Sequence, residues 1–130
     1  MAEIANLDYK AAKNAQQIIA TTIDEGNKPS DVENLATKTL GVLQENGVYA
    51  CLLYLYSRTN TTESPISRVI RRKLLALTSW DNTQEDKVET ALRFLNENIC
   101  NDLETLLLTK KLWEQTLIYT RYEAKARGAQ

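Results

Sequence analysis

The residues with the clearest potential chemistry are positive charges gathered at helical spacing. Between Ser64 and Trp80 the chain carries four basic side chains and no acidic one: Arg68, Arg71, Arg72 and Lys73. The three arginines follow the spacing i, i+3, i+4, which places them on one face of a helix. Guanidinium groups can contact phosphate oxygens at two points. This segment is therefore compatible with a phosphate-binding surface, and equally with a solvated face that pairs with acids elsewhere.

A second basic set lies near the C-terminal end of the sequence, and its members are Lys110, Lys111, Arg121 and Lys125. On a helix, three of them fall within about 60° of one another, and Lys111 lies at the edge. Glu114 lies among them and weakens their field. Lys10 and Lys13 form a third, weaker set. We predict that phosphate contact is made by the first or the second set.

Aromatic side chains support nucleic-acid binding only where an exposed ring lies beside positive charge. Tyr122, next to Arg121 and near Lys125, is the one aromatic residue for which stacking is plausible, but core packing explains it better. We expect the other aromatics of the apolar segments to pack in the core. These are Tyr49, Tyr54, Tyr56, Trp113 and Tyr119.

Several kinds of catalytic and metal site are excluded by composition. The chain has no histidine, and its 4 glycines are scattered, so it has neither an imidazole base nor a glycine-rich phosphate loop. Glu85, Asp86 and Glu89 could hold a divalent ion, but a solvated first helical turn explains them better. We expect Cys51 and Cys100 to be buried free thiols, although a disulfide is possible. We therefore predict no enzyme activity, no metal, no cofactor and no small-molecule substrate.

The elements that carry these residues are predicted to be helices of one domain, residues 1–130. The chain is 43% hydrophobic with a net charge of −1, as in an ordinary globular domain. Apolar residues from Ile4 to Ile23 recur at spacings of three and four, which predicts a first helix. Gly26–Pro29 should stop it. A capping box at Ser30 and Glu33 should start a second helix, which Asn46–Gly47 should end.

The segment Val48–Tyr56 is apolar nearly all round, so periodicity alone fits either a buried strand or a buried helix. Its leucines and alanine, together with its helical neighbours, favour a helix. We expect Leu53 to be buried there, so that Leu53→Asp would unfold the chain. Ser64 and Pro65 then resemble an N-cap followed by proline at the first helical position. This helix should end at Trp80–Asn82.

Two further helices are predicted after this point. Residues 83–86 should cap a helix that includes Val88 to Ile99. A capping box at Asn101 and Glu104 should start a last helix, which runs from about Asp102 to about Lys125 and leaves residues 126–130 frayed. The predicted fold class is therefore all-α, a single-domain bundle of about five to six helices.

Two stretches of sequence resemble a known family. The alanine-rich segment Tyr9–Ala15, the turn Gln44–Val48 and the apolar segment Tyr49–Ser57 are similar to the small α-helical subunit of type III-B (Cmr) CRISPR effector complexes. In that family an Asn-Gly-aliphatic turn leads into a buried helix. The likeness also extends to small subunits of type III-A (Csm) and type I complexes. This chain departs from the family near its C-terminal end, where Trp113-Glu114-Gln115 stands in place of a Trp-Leu-Lys segment.

The resemblance implies a noncatalytic role in antiviral defence. Copies of such a subunit stack head to tail as a short filament, contact other subunits of the complex, and line the groove where guide RNA pairs with target RNA. Recognition would be independent of sequence, because base pairing supplies the specificity. The alternative is a helical adaptor that binds only protein partners. Residues Met1–Asn6 lack the pattern of a signal peptide and no apolar run is long enough to span a bilayer, so we expect a cytoplasmic location without membrane contact.

Overall fold

The computed structural model describes residues 2–129, including the side chains of residues 6–129. Within that range the chain forms a compact bundle of five helices and no strand, so the all-α prediction is confirmed. The helices are α1 (Ala2–Asp24), α2 (Pro29–Tyr56), α3 (Glu63–Ala76), α4 (Val88–Asn98) and α5 (Leu103–Gly128). The predictions that concern Met1, the side chain of Ile4 and Gln130 lie outside the described residues.

Four of the helices pack in a ring. α5 packs against α2 and α1, and α3 packs against the same two helices. α3 and α5 therefore lie across a diagonal of the bundle, and α4 packs on α2. Side-chain hydrogen bonds hold α3 in place: Asn14 of α1 donates Nδ2–H to the carbonyl oxygen of Lys73 at 3.0 Å. Ser67 of α3 donates its hydroxyl to the carbonyl oxygen of Leu55 in α2.

The core is centred on α2 and α5. Trp113 of α5 is fully buried, and its Nε1–H has no hydrogen-bond partner among the described residues. The buried threonines of α5, in contrast, have hydrogen-bond partners within the helix. Thr116 and Thr120 donate their hydroxyls to backbone oxygens four residues earlier, at 2.9 and 2.7 Å. Cys51 is a buried free thiol, as predicted, whereas free Cys100 is half-buried. Burial raises the pKa of the Cys51 thiol to about 12.

α2 is interrupted where the sequence predicted a helix end. Gly47 adopts φ 93° and ψ −174°, which are not helical angles, so the first helical segment of α2 stops at Asn46–Gly47, and a second segment continues across this kink to Tyr56. The segment Val48–Tyr56 is thus a helix, as predicted. Glycine is favoured at position 47 because residues that carry a side chain rarely adopt such backbone angles.

The prediction that Leu53 is buried is wrong. Val48, Cys51, Leu52 and Leu55 face the core at the spacing i, i+3, i+4, i+7, and this leaves Leu53 on the outer side with 45% of its surface exposed. The segment is apolar on nearly all sides, but only one of its sides packs against other helices. Leu52 is fully buried, so a charged side chain substituted at this position would lie unpaired in the core.

The predicted capping boxes are also wrong, each for a local reason. The N-cap of α2 is Lys28, because Pro29 occupies the first helical position and places Ser30 already inside the helix. The N-cap of α5 is Asp102, whose carboxylate accepts the N–H of Thr105 at 3.0 Å, rather than Asn101 paired with Glu104.

The remaining boundaries differ by smaller shifts. α3 begins at Glu63 after the N-cap Thr62, so Pro65 lies in the first turn, where its missing N–H is tolerated. α3 ends at Ala76, four residues before Trp80. α4 is preceded by Lys87 as its N-cap, not by residues 83–86. α5 continues to Gly128, so residues 126–128 extend the helix past its predicted end at Lys125.

Candidate nucleic-acid interface

A basic groove lies between α1 and α3, and three of the four predicted α3 cations line it. We call it the α1–α3 groove, and its lining residues are Thr21, Glu25, Arg68, Val69, Arg72, Lys73, Ala76 and Asn82. It has a volume of about 300 Å³. Glu25 is its one described acidic side chain. The groove is thus a concave surface with an excess of positive charge.

The sequence of α3 explains why these cations reach the groove. Its apolar positions Ile66, Val69, Ile70 and Leu74 are buried, so Arg68 and Arg72, one turn apart, are exposed. Neither arginine forms an ion pair with any side chain described in residues 6–129. Lys73 is half-buried, and its Nζ lies 3.4 Å from Oε1 of Gln17 in α1. Two free guanidinium groups and an ammonium group therefore face one groove.

Arg71 has a different environment from the other α3 cations. Its Nε and Nη2 donate to the two carboxylate oxygens of Asp86 at 3.1 and 2.6 Å, and its guanidinium lies 4.3 Å from the centre of the Tyr56 ring. The hydroxyl of Tyr56 donates to Asp86 at 2.7 Å. Only 11% of the Arg71 side chain is exposed. Arg71 is therefore largely buried in this contact and does not share one solvated face with Arg68 and Arg72.

The cluster of Arg71, Asp86 and Tyr56 ties the connection between α3 and α4 to the bundle. Partial burial opposes ionisation of Asp86, but hydrogen bonds from Arg71 and Tyr56 and the charges of Arg71 and Arg72 outweigh it, so the pKa of Asp86 is lowered. Burial and the hydrogen bond to Asp86 raise the pKa of Tyr56. Asp86 lies 15 residues from Arg71, too far along the chain for helical spacing to have indicated the pair.

The second predicted basic set does not join the first. Arg121, Lys125 and Lys111 are exposed on α5 and Lys110 is half-buried, and α5 lies diagonally opposite α3. Tyr122 is 69% exposed, so it does not pack in the core as expected for the aromatic residues. It lines a shallow groove with Ala12 and Gln16 of α1 and Tyr119, Glu123 and Ala126 of α5. This set is spread along α5, and none of the described grooves gathers its members.

A second groove on the α1 side contains Lys10 and Lys13 of the third basic set, together with Tyr9, which sequence reasoning missed. We call it the Tyr9 groove; it has a volume of about 500 Å³ and is lined by Asn6, Tyr9, Lys10, Lys13, Asn14, Gln17, Ala76, Leu77 and Thr78. Tyr9 is 62% exposed, and Nζ of Lys13 lies 6.0 Å from the centre of its ring. The spacing of Tyr9 and Lys13, one helical turn, was a signal available in the sequence.

An apolar surface lies at the start of α5. Leu103, Leu107 and Leu108 are 69%, 56% and 49% exposed. Leu108 also lines a largely apolar groove of about 320 Å³ with Leu7, Asp8, Lys111, Leu112 and Gln115. Exposed apolar patches of this kind are typical of protein-binding surfaces.

The acidic residues considered as metal ligands do not converge. Asp86 is held by Arg71 and Tyr56, and the carboxylate of Glu85 lies 3.0 Å from Nζ of Lys87. No group of three or more potential ligand side chains occurs in the described part of the chain. In residues 2–129 no helix has the length and apolarity needed to cross a membrane.

Comparison with known proteins adds no assignment, because the chain matches no protein-family model, no curated protein sequence and no solved structure. The interpretation of the grooves therefore depends on their own chemistry and on the resemblance of residues 44–57.

Proposed function

We propose that this protein is a noncatalytic small subunit of a type III-B CRISPR ribonucleoprotein effector, which contacts the backbone of guide or target RNA in antiviral defence. The observation that carries the proposal is the α1–α3 groove, where Arg68, Arg72 and Lys73 face one concave surface. Guanidinium and ammonium groups bind phosphates of any sequence, as expected for a subunit whose partners supply base pairing.

The resemblance around Asn46–Gly47 supports the same proposal. The turn and the apolar helix that follows it occupy α2, on which α3, α4 and α5 all pack. The residues that resemble the family are thus the framework of the bundle. In this proposal other subunits of the complex and further copies of the chain, stacked head to tail, are the protein partners, and the complex acts in the cytoplasm.

A second candidate function is an adaptor that binds only proteins. The exposed leucines at the start of α5 favour it, because they form an apolar surface separate from the basic grooves. The two candidates differ in one requirement: the adaptor does not need the free arginines of the α1–α3 groove.

Both candidates are tested by purifying the tagged chain from its native cells and identifying the bound RNA and proteins. We expect short guide-like RNAs together with larger CRISPR subunits. The variant Arg68→Gln/Arg72→Gln should lose RNA, whereas the control Lys87→Gln/Arg93→Gln, which removes two exposed cations outside both grooves, should retain it. Recovery of protein partners without RNA from the unchanged chain would contradict the proposal and favour the adaptor.

A further inference from the structure

The Tyr9 groove contains an aromatic ring where none is needed for packing. Tyr9 is 62% exposed, in contrast to half-buried Tyr54 and Tyr56. Two lysines, Lys10 and Lys13, line the same groove, and none of its described lining residues is acidic. An exposed ring beside ammonium groups is the combination that binds a nucleobase by stacking and its phosphate by charge.

The Tyr9 groove adjoins the α1–α3 groove. Both are formed by α1 and α3, and both include Ala76 in their lining. The contact between Lys73 and Gln17 lies between them, because Lys73 lines the first groove and Gln17 lines the second. Along α1, the residues from Tyr9 to Thr21 cover about 18 Å, so the combined surface is long enough for several nucleotides.

The two halves of this surface offer different chemistry. The α1–α3 groove provides the charges of Arg68, Arg72 and Lys73, which a phosphate backbone can contact whether the RNA is paired or unpaired. The Tyr9 ring provides an apolar face, which only an unpaired base can reach, because bases in a duplex are already stacked and their faces are covered.

We propose that the combined surface binds single-stranded RNA, with one unpaired base stacked on Tyr9 and the phosphates following Lys10 and Lys13 toward Lys73, Arg72 and Arg68. This inference depends on the proposed RNA contact and specifies its substrate class. Stacking on Tyr9 assigns a role to a part of α1 that contact with the RNA backbone alone does not require.

The test compares Tyr9 with an exposed tyrosine of another helix. Binding of the full chain to a fluorescent single-stranded RNA and to a duplex of the same sequence is measured by anisotropy. Tyr9→Ala should weaken single-strand binding about 5- to 150-fold and change duplex binding little. Tyr9→Phe should retain affinity, because the ring is kept. Tyr49→Ala, which removes a ring that is 39% exposed on α2 and lines none of the grooves, should also retain it.

The outcomes separate this inference from the proposed function. If both RNAs bind with a steep salt dependence but Tyr9→Ala changes neither affinity, the backbone contact stands and the stacking site is refuted. An equal loss for single strand and duplex also refutes stacking. If the folded chain binds neither RNA at low salt, the proposed RNA contact fails and the stacking site fails with it. Circular dichroism of each variant confirms that exposed substitutions leave the fold intact.

Discussion

Arg71 and Arg72 are adjacent arginines that the structure assigns to different tasks, and exchanging each for glutamine separates them. Arg71→Gln removes two charge-assisted hydrogen bonds to Asp86 and a stacking contact with Tyr56. Arg72→Gln removes an exposed cation of the α1–α3 groove. We expect the first substitution to lower stability and the second to weaken RNA binding.

The magnitudes follow from exposure and contact type. A hydrogen bond to a charged group contributes about 1.5–3 kcal/mol when buried, whereas an exposed ion pair contributes about 0–1 kcal/mol. The Arg71 side chain is 11% exposed and that of Asp86 33%, so the pair lies between these limits. With about 0.5–1 kcal/mol for the cation–π contact, Arg71→Gln should cost about 2 kcal/mol. Arg72→Gln should stay within about 0.5 kcal/mol of the unchanged chain.

Two assays measure the effects of the two substitutions, one on stability and one on RNA binding. In urea unfolding followed by circular dichroism, with a slope of about 2 kcal/mol per molar, Arg71→Gln should lower the midpoint by about 1 M. In RNA anisotropy across a salt series, Arg72→Gln should reduce the slope of log affinity against log salt by about 0.7, the value for one single-strand phosphate contact. An unchanged urea midpoint for Arg71→Gln would refute its structural role, and a salt slope reduced by Arg71→Gln rather than by Arg72→Gln would refute the separate roles of the two arginines.

Three other predictions concern the fold. Leu52→Asp should unfold the chain by leaving a charge in the core, whereas Leu53→Asp should remain folded. Circular dichroism measures both variants, and an equal loss of helical signal would contradict the exposure of 0% for Leu52 and 45% for Leu53. The pKa of Asp86 is lowered in the folded state, so its ionised form stabilises the protein above about pH 4 and this contribution is lost as pH falls through the folded pKa. Urea midpoints of the unchanged chain and Asp86→Asn should therefore differ at pH 7 and converge in acid, and a constant difference would count against the cluster. Gly47→Ala should lower the free energy of unfolding by about 1–3 kcal/mol because of the positive φ of Gly47. Gly41→Ala, inside regular helix with open space around it, should be neutral or stabilising. Thermal unfolding compares the two variants, and a less stable Gly41→Ala would contradict this prediction.

Helix positions were predictable from the sequence because they depend on local spacing and on Gly and Pro. The stripe of α1 and the stop at residues 26–29 follow from neighbours within one or two turns. Which side of an apolar helix faces the core is not a local property, and Leu53 shows this: all its neighbours are apolar, so only the packing of α2 against the other helices left it exposed.

The candidate site shows the same division between local and distant causes. Arg68, Arg72 and Lys73 were found by their spacing, which is a property of α3 alone. The separate role of Arg71 depends on Asp86, 15 residues away. The grooves depend on α1 and α3 meeting, and the bond from Asn14 to Lys73 that joins them spans 59 residues. Such pairings are set by the tertiary fold.

The two tryptophans give the protein built-in spectroscopic probes of separate regions. Trp113 is fully buried with its indole N–H unpartnered among the described residues, so its fluorescence should be that of a ring in an apolar solvent. Trp80 is half-buried in the connection between α3 and α4, with its ring edge-on to Phe94 at 5.2 Å. Replacing either one by phenylalanine leaves a single tryptophan, which is excited selectively over the 6 tyrosines at long wavelength. With Trp80 alone, loosening of the connection that carries Asp86 becomes visible as a red shift, and with Trp113 alone, opening of the core does.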